Sequence, residues 1–162
     1  MNEALQSAVA FFHMRAWKLH RTEDPNLVFT QYEGEHGSWQ LMAVGHPGRP
    51  QVALYSVFPY GCPEDARVEL FELLHRANEG LILGNFEFLF AEARIRFKTS
   101  LDATGQQANL HMCNPLTYFN CLSMDQYFTP LLAVTRCGMS AKDALHLVGK
   151  PPSAIPGNRR PG

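Results

Sequence analysis

"YGCPEDARVELFELLHRANEGLILGNFEF", Tyr60 to Phe88, passes from helical to extended grammar, and the direction of that passage decides the fold. Pro63 fits the first position of a helix, where its missing N–H costs nothing, and Glu64 and Asp65 complement the positive helix end. Ala66, Leu70, Leu73, Leu74 and Ala77 then recur at helical spacing as one apolar face, with Phe71 beside it. Such a helix packs across a sheet. It is followed by a turn built on Asn78, Gly80 and Gly84, and then by "NFEF", which alternates as a strand does.

Glycines spaced G-x-x-x-G suggest a phosphate cradle, but phosphate loops follow a strand and open a helix, so that N–H groups point at the anion. Here the order is reversed. The helix end facing the glycines carries carbonyl oxygens and partial negative charge, and no Lys-Ser or Lys-Thr pair follows Gly84. The glycines therefore read as an exit from the helix, with a positive φ expected at Gly80 or Gly84.

Upstream, "EALQSAVAFFHMRAWKLH", residues 3–20, places Leu5, Val9, Phe12, Ala16 and Leu19 on one helical face. "TEDPN" at 22–26 is a turn cluster that ends it. "LVFTQYE", "SWQLMAV" and "QVALYSVF" are β-favouring runs separated by "GEHG" and "GHPGRP", which predicts a three-stranded antiparallel meander. Downstream, "NFEFLF" and "RIRFK" predict a hairpin turned near residues 91–93, with Phe86, Phe88 and Phe90 on one face. "TSLDATGQQANLHMCNP" reads as a loop after a short strand extension. A helical segment then spans about 116–137, kinked or restarted at Pro130, where Thr129 offers an N-cap. Gly138 is a stop, and "SAKDALHLV" offers a short last helix capped by Ser140.

The order α–β–β–β–α–β–β–α predicts an α+β domain over residues 1–149, with helices packed on a five-stranded antiparallel sheet. Regular βαβ alternation is missing, which argues against a doubly wound fold. The Pro/Gly-rich tail at 150–162, "KPPSAIPGNRRPG", has too little apolar mass to fold and is expected to be disordered.

At 162 residues the chain suffices for one core. It is 46% hydrophobic and 18% charged, with a net charge of −1, so no global field recruits nucleic acid or an anionic membrane. No apolar run reaches the roughly 18 residues a membrane span needs, and the N-terminal pattern does not fit a secretory signal. These features predict a cytoplasmic protein. Cys62, Cys113, Cys121 and Cys137 form no C-x-x-C pair and read as reduced, mostly buried thiols.

Candidate chemistry is sparse. The seven histidines make no H-x-x-x-H or H-E-x-x-H spacing, so neither a metal nor any other cofactor is expected. No G-x-S-x-G elbow occurs. "EGEHG", Glu33 to Gly37, groups two carboxylates and an imidazole, but an exposed turn lacks the burial that tunes a catalytic acid or base. His111 and Cys113, with Cys121 more distant, are the one alternative: a small-ligand or hydrolytic site around the 102–114 loop. Against it stands the absence of the deaminase signatures. Arg94, Arg96 and Lys98 alternate with Ile95 and Phe97, so they share one strand face as a candidate surface for an acidic partner or nucleic acid, with a solvated face as the plain alternative.

Taken together, "GSWQLMA", "SVFPYGCPEDAR", "RANEGLILGNFEF", "RIRFK" and "YFTPLLAVTRCGMSAKDAL", in this order between about Val28 and Leu145, resemble the YbjN family of small bacterial and cyanobacterial proteins. The resemblance implies an α+β, type III secretion chaperone-like fold, usually dimeric, with no established catalytic residues. Members have been described as sensory transduction regulators. The long "DATGQQANLHMCNP" connection and the proline-rich tail depart from the family pattern. The function expected on both grounds is a non-enzymatic module, chaperone-like or regulatory, acting as a homodimer that binds an unknown protein partner.

Overall fold

The computed structural model describes residues 2–150. The expectation of a disordered tail falls, from residue 151 on, outside the described residues. The elements run α1 (Glu3–Met14), β1 (His20–Arg21), β2 (Leu27–Glu33), β3 (Ser38–Gly45), β4 (Gln51–Val57), α2 (Arg67–Glu79), β5 (Asn85–Leu89), β6 (Arg94–Asp102), α3 (Leu110–Cys137) and α4 (Ala141–Ala144). The strands form one antiparallel sheet in the order β1-β2-β3-β4-β6-β5. The α+β class and the meander are as expected. The sheet has six strands rather than five, because the short β1 adds to β2 through His20↔Phe29 and Arg21↔Val28.

That extra strand comes at the expense of the first helix, which stops at Met14 instead of running to His20. Ala16 takes a left-handed φ of 57°, and the Trp17 N–H returns to the Phe12 carbonyl at 3.1 Å. The turn lays the Trp17 ring between Phe12, 5.3 Å away, and Tyr32, 5.6 Å away. Burying an indole outweighs one more helical turn. Thr30 Oγ1 then donates to the Lys18 carbonyl at 2.8 Å and draws the chain onto the sheet.

Pro63 likewise sits outside its expected place. Its ψ of 152° is extended; a 3-10 turn over Glu64–Ala66 follows, and the α-helix starts at Arg67. The Cys62 N–H donates to the Ala93 carbonyl at 2.9 Å, which holds the chain extended up to the proline.

Inward residues of the strands are buried in alternation: Thr30 and Tyr32, Trp39 and Leu41, Val52 and Leu54, Ile95 and Phe97. α1 and α3 pack on this face, with Phe128 against Trp39 and Phe58, and Tyr127 against Phe86. Asn120 is fully buried and donates to the carbonyls of Leu54 and Phe97 and to Thr99 Oγ1, so α3 is registered on both central strands.

The helix does not restart at Pro130 but runs on through it, and it begins earlier than expected, at Leu110, taking in Pro115 as well. Proline removes the N–H that would bond the carbonyl four residues back. For Pro130 that carbonyl is Gln126, and it accepts from the Gly149 N–H at 2.8 Å, while Gln126 Nε2 donates to the Gly149 carbonyl at 3.0 Å. The chain after α4 thus fills the vacancy. Gly138 ends α3 with φ 66°, and the Ser140 side chain caps α4 at the Asp143 N–H.

Candidate functional site

Because the helices pack on one face of the sheet, the outward residues of the same strands form an open face. Strand registers place His20, Phe29, Met42, Tyr55, Lys98 and Asn85 in one row across all six strands. The next row runs Gln31, Gln40, Val57, Arg96, Glu87. On the other side Leu27, Val44, Ala53 and Ser100 align. The β2-β3-β4 half is thus largely apolar and half-buried, and the β6-β5 half is basic.

A depression of about 520 Å³ lies over Val44, Ala53, Tyr55, Lys98, Ser100 and Asp102 on this face. At its rim Asp102 accepts from the Thr104 N–H and Gln51 Nε2, both at 2.8 Å; hydrogen bonds from the Thr104 side chain, then Gln51, then the Thr104 N–H bring its carboxyl down to about 2.

Arg96 organises the basic half. Its guanidinium lies 4.0 Å from the centre of the Tyr55 ring and reaches Glu87 Oε2 at 2.6 Å. Lys98 Nζ stands 3.4 Å from Glu87 Oε1. Partial burial alone pushes the Glu87 carboxyl up, but the Arg96 hydrogen bond and charge, with Lys98 adding to them, hold it below the usual range. Arg94 is exposed at the end of the strand. The structure therefore places the three predicted cations on one face, with Glu87 bridging two of them. The "FEF" alternation in the sequence carried the signal for Glu87.

A second exposed surface lies where α2 meets the β5 edge. Val68, Ile82 and Phe90 are 76%, 98% and 72% exposed, and Phe71 packs its ring against Phe88 and Phe90 at 5.1 and 5.8 Å. Phe90 thus leaves the buried face on which alternation placed it with Phe86. At the turn, Asn78 bonds both the N–H and the carbonyl of Phe86, at 2.7 and 3.1 Å, and so occupies part of the edge strand. Gly84 has φ 78°, and a Cβ there would lie 2.6 Å from the Lys98 carbonyl. Gly80 caps α2 with φ −90°.

The 102–114 segment does not bring its candidates together. Loop structure ends at Asn109, whose side chain caps α3 at the N–H groups of His111 and Met112. His111 is exposed on the first turn, whereas Cys113 is buried and its thiol is pushed up to about 11 by that burial. Cys121 is buried deeper still, and burial pushes its thiol up further. Among the described residues no group of three or more His, Cys, Asp and Glu is placed to hold a metal ion.

The hairpin turn "EGEHG" is exposed at Glu33, Glu35 and His36, as expected, but it is tied to α3. The His36 N–H donates to Asp125 Oδ1 at 2.9 Å, and His36 Nδ1 lies 3.2 Å from Oδ2. Asp125 is only 6% exposed, and Gly34 lets the turn approach: a Cβ there would lie 2.7 Å from Trp39 Cη2. Residues 89 positions apart in a loop and a helix offered no local signal for this tie between turn and α3.

No family model matches the chain, and no curated protein matches it; the YbjN resemblance thus has no counterpart among the family models. A chain from the crystal structure of the ExsC-ExsE complex superposes with a TM-score of 0.51, covering 82% of this chain and 97% of that one at 13% sequence identity. The likeness is one of fold, the α+β type III secretion chaperone-like fold. No helix of the described residues is long and apolar enough to cross a membrane.

Proposed function

We propose that the protein is a chaperone-like or regulatory module that binds another polypeptide, acts as a homodimer in the cytoplasm and performs no catalysis of its own. The observation that carries this reading is the open sheet face: a half-apolar, half-basic surface that the helices of the chain leave uncovered. Its fold neighbour comes from a complex of two proteins, which supports the same reading. For the homodimer, the support is apolar exposure along α2 and the β5 edge, where Phe71 packs on Phe90 and Val68, Ile82 and Leu83 are also exposed. Large apolar side chains left in solvent mark interaction surfaces.

Light scattering on the purified chain tests the dimer: a mass of twice 18.2 kDa at micromolar concentration supports it, and a monomer removes it. Ile82→Glu with Phe90→Glu should shift a dimer towards monomer. For polypeptide binding, an array of immobilised peptides of varied charge and hydropathy should retain the protein, and an array that retains none of it overturns that part.

A further inference from the structure

The open face has an internal asymmetry that specifies more than "polypeptide". Its apolar half is aliphatic and aromatic: Phe29, Met42, Val44, Tyr55 and Val57 are half-buried rather than covered. Its other half sets Arg94, Arg96 and Lys98 on one strand, and Glu87 is the carboxylate within ion-pair distance of the latter two. Arg96 and Lys98 share that carboxylate and Arg94 is exposed beside them, while Asp102, at the far end of the same strand, is engaged by Gln51 and Thr104, so positive charge is left unmatched beside an apolar strip. From Phe29 to Lys98 is three strand spacings, about 14 Å.

We propose that this face docks a segment of a partner polypeptide that carries acidic side chains next to apolar ones, the apolar chains lying over Phe29, Met42 and Tyr55 and the carboxylates over Arg94, Arg96 and Lys98. The proposal rests on the polypeptide-binding reading above and narrows it to a surface and a partner class. Charge complementarity selects this occupant over the others. The chain's own segment 151–162, "PPSAIPGNRRPG", contains Arg159 and Arg160 and neither Asp nor Glu, so it offers the basic half nothing. A second copy seated on this face would desolvate three more cations while adding Glu87 and Asp102, both already engaged. A nucleic acid would meet the Glu87 carboxylate among the cations, and its phosphates would gain nothing from the aliphatic half.

Spanning that distance from Phe29 to Lys98 takes about four extended residues, so labelled peptides of about 16 residues give ample length. Three are compared by fluorescence anisotropy on the full chain at about 150 mM salt: one mixing Leu and Glu, one with Lys for every Glu, one with Ser for every Leu. The Leu/Glu peptide should bind at least about tenfold tighter than either of the others. Lys98→Glu with Arg94→Glu should abolish that preference, and Met42→Glu should weaken the same peptide by about tenfold, each with melting temperature and light-scattering mass unchanged. Arg94→Glu alone serves if the double variant fails to fold.

Equal binding of the Lys peptide, indifference to the charge reversals or to Met42→Glu, or tighter binding of an oligothymidylate overturns the proposal. So does tighter binding of the synthetic 151–162 peptide. If the peptide array still retains a charge-reversed variant as it retains the native chain, the docking face is wrong and the polypeptide-binding reading stands. If the array retains neither, that reading falls with it.

Discussion

Strand β6 shows the two faces of the sheet within five residues. Ile95, Phe97 and Thr99 point inward and are almost completely buried, while Arg96 and Lys98, between them in sequence, point outward and are partly solvated. On the inner side buried polar groups pair within the protein: Thr99 Oγ1 donates to the Leu116 carbonyl at 3.0 Å, and Trp39 Nε1 to Ser56 Oγ at 2.8 Å. On the outer side, charges are shared rather than closed, as with one carboxylate serving Arg96 and Lys98. The difference teaches that one strand can hold the fold together and remain available for binding, because its two faces meet different solvents.

Neighbouring substitutions on opposite faces give the sharpest attempt to break that contrast. Phe97→Ala removes a ring at 0% exposure that packs on Phe86, and should lower stability by about 3–5 kcal/mol, whereas Lys98→Ala should change it by less than about 1 kcal/mol. Urea denaturation of the two variants checks this; similar losses would mean that the outer face is structural too.

Gly84→Val tests the turn that delivers β5 to the sheet. A β-branched residue at φ 78°, with its Cβ against the Lys98 carbonyl and the Phe97 ring, should cost about 2–4 kcal/mol in the same assay. Gly80→Ala, at φ −90° and with no atom nearer than 3.8 Å, should be neutral to within about 0.5 kcal/mol.

A smaller effect is expected where the helical layer meets the hairpin tip. Asp125→Ala strands the His36 N–H and should cost about 1–3 kcal/mol, with hydrogen exchange of the 34–37 turn accelerating. Slow exchange there after the substitution would show that the tie is incidental.

The smallest effect belongs to the outer face and depends on pH. The folded Glu87 carboxyl titrates below its ordinary value, about 4.3, so on acidification the unfolded chain binds the proton first. The stabilisation is then complete above about pH 4.3 and is lost as the pH falls through the lower folded value. Glu87→Gln should therefore cost under about 1 kcal/mol at pH 7 and progressively less as the pH falls below about 4.3, by urea midpoints at pH 7 and pH 3. A constant difference across that range would remove the ion-pair explanation.

Much of the architecture was legible because local chemistry and tertiary packing agree. The alternation in "SWQLMAV" and "RIRFK", the αL stop at Gly138 and the Ser140 cap each act within a few residues, and each appears in the structure. The misreadings occur where a distant partner overrides local preference. Leu19 at helical spacing promised a longer first helix, but Trp17 finds Tyr32. Pro130 offered a restart of the helix, but Gly149 supplies the missing donor and the helix continues. His111 and Cys113 shared a polar stretch, yet the helix that forms there separates an exposed imidazole from a buried thiol.

By itself the sequence determined which residues alternate, which turn and which cap, because period-2 and period-3.6 patterns and glycine conformations are local properties of the chain. It also set Arg94, Arg96 and Lys98 on one side of a strand. Only the tertiary structure decided which side the helices cover, that β6 and not β5 joins β4, and that Tyr55 and Glu87 surround Arg96. Those outcomes depend on pairings between residues far apart in the chain, where burial of Trp39, Phe97 and their neighbours selects one arrangement among several that local preference permits.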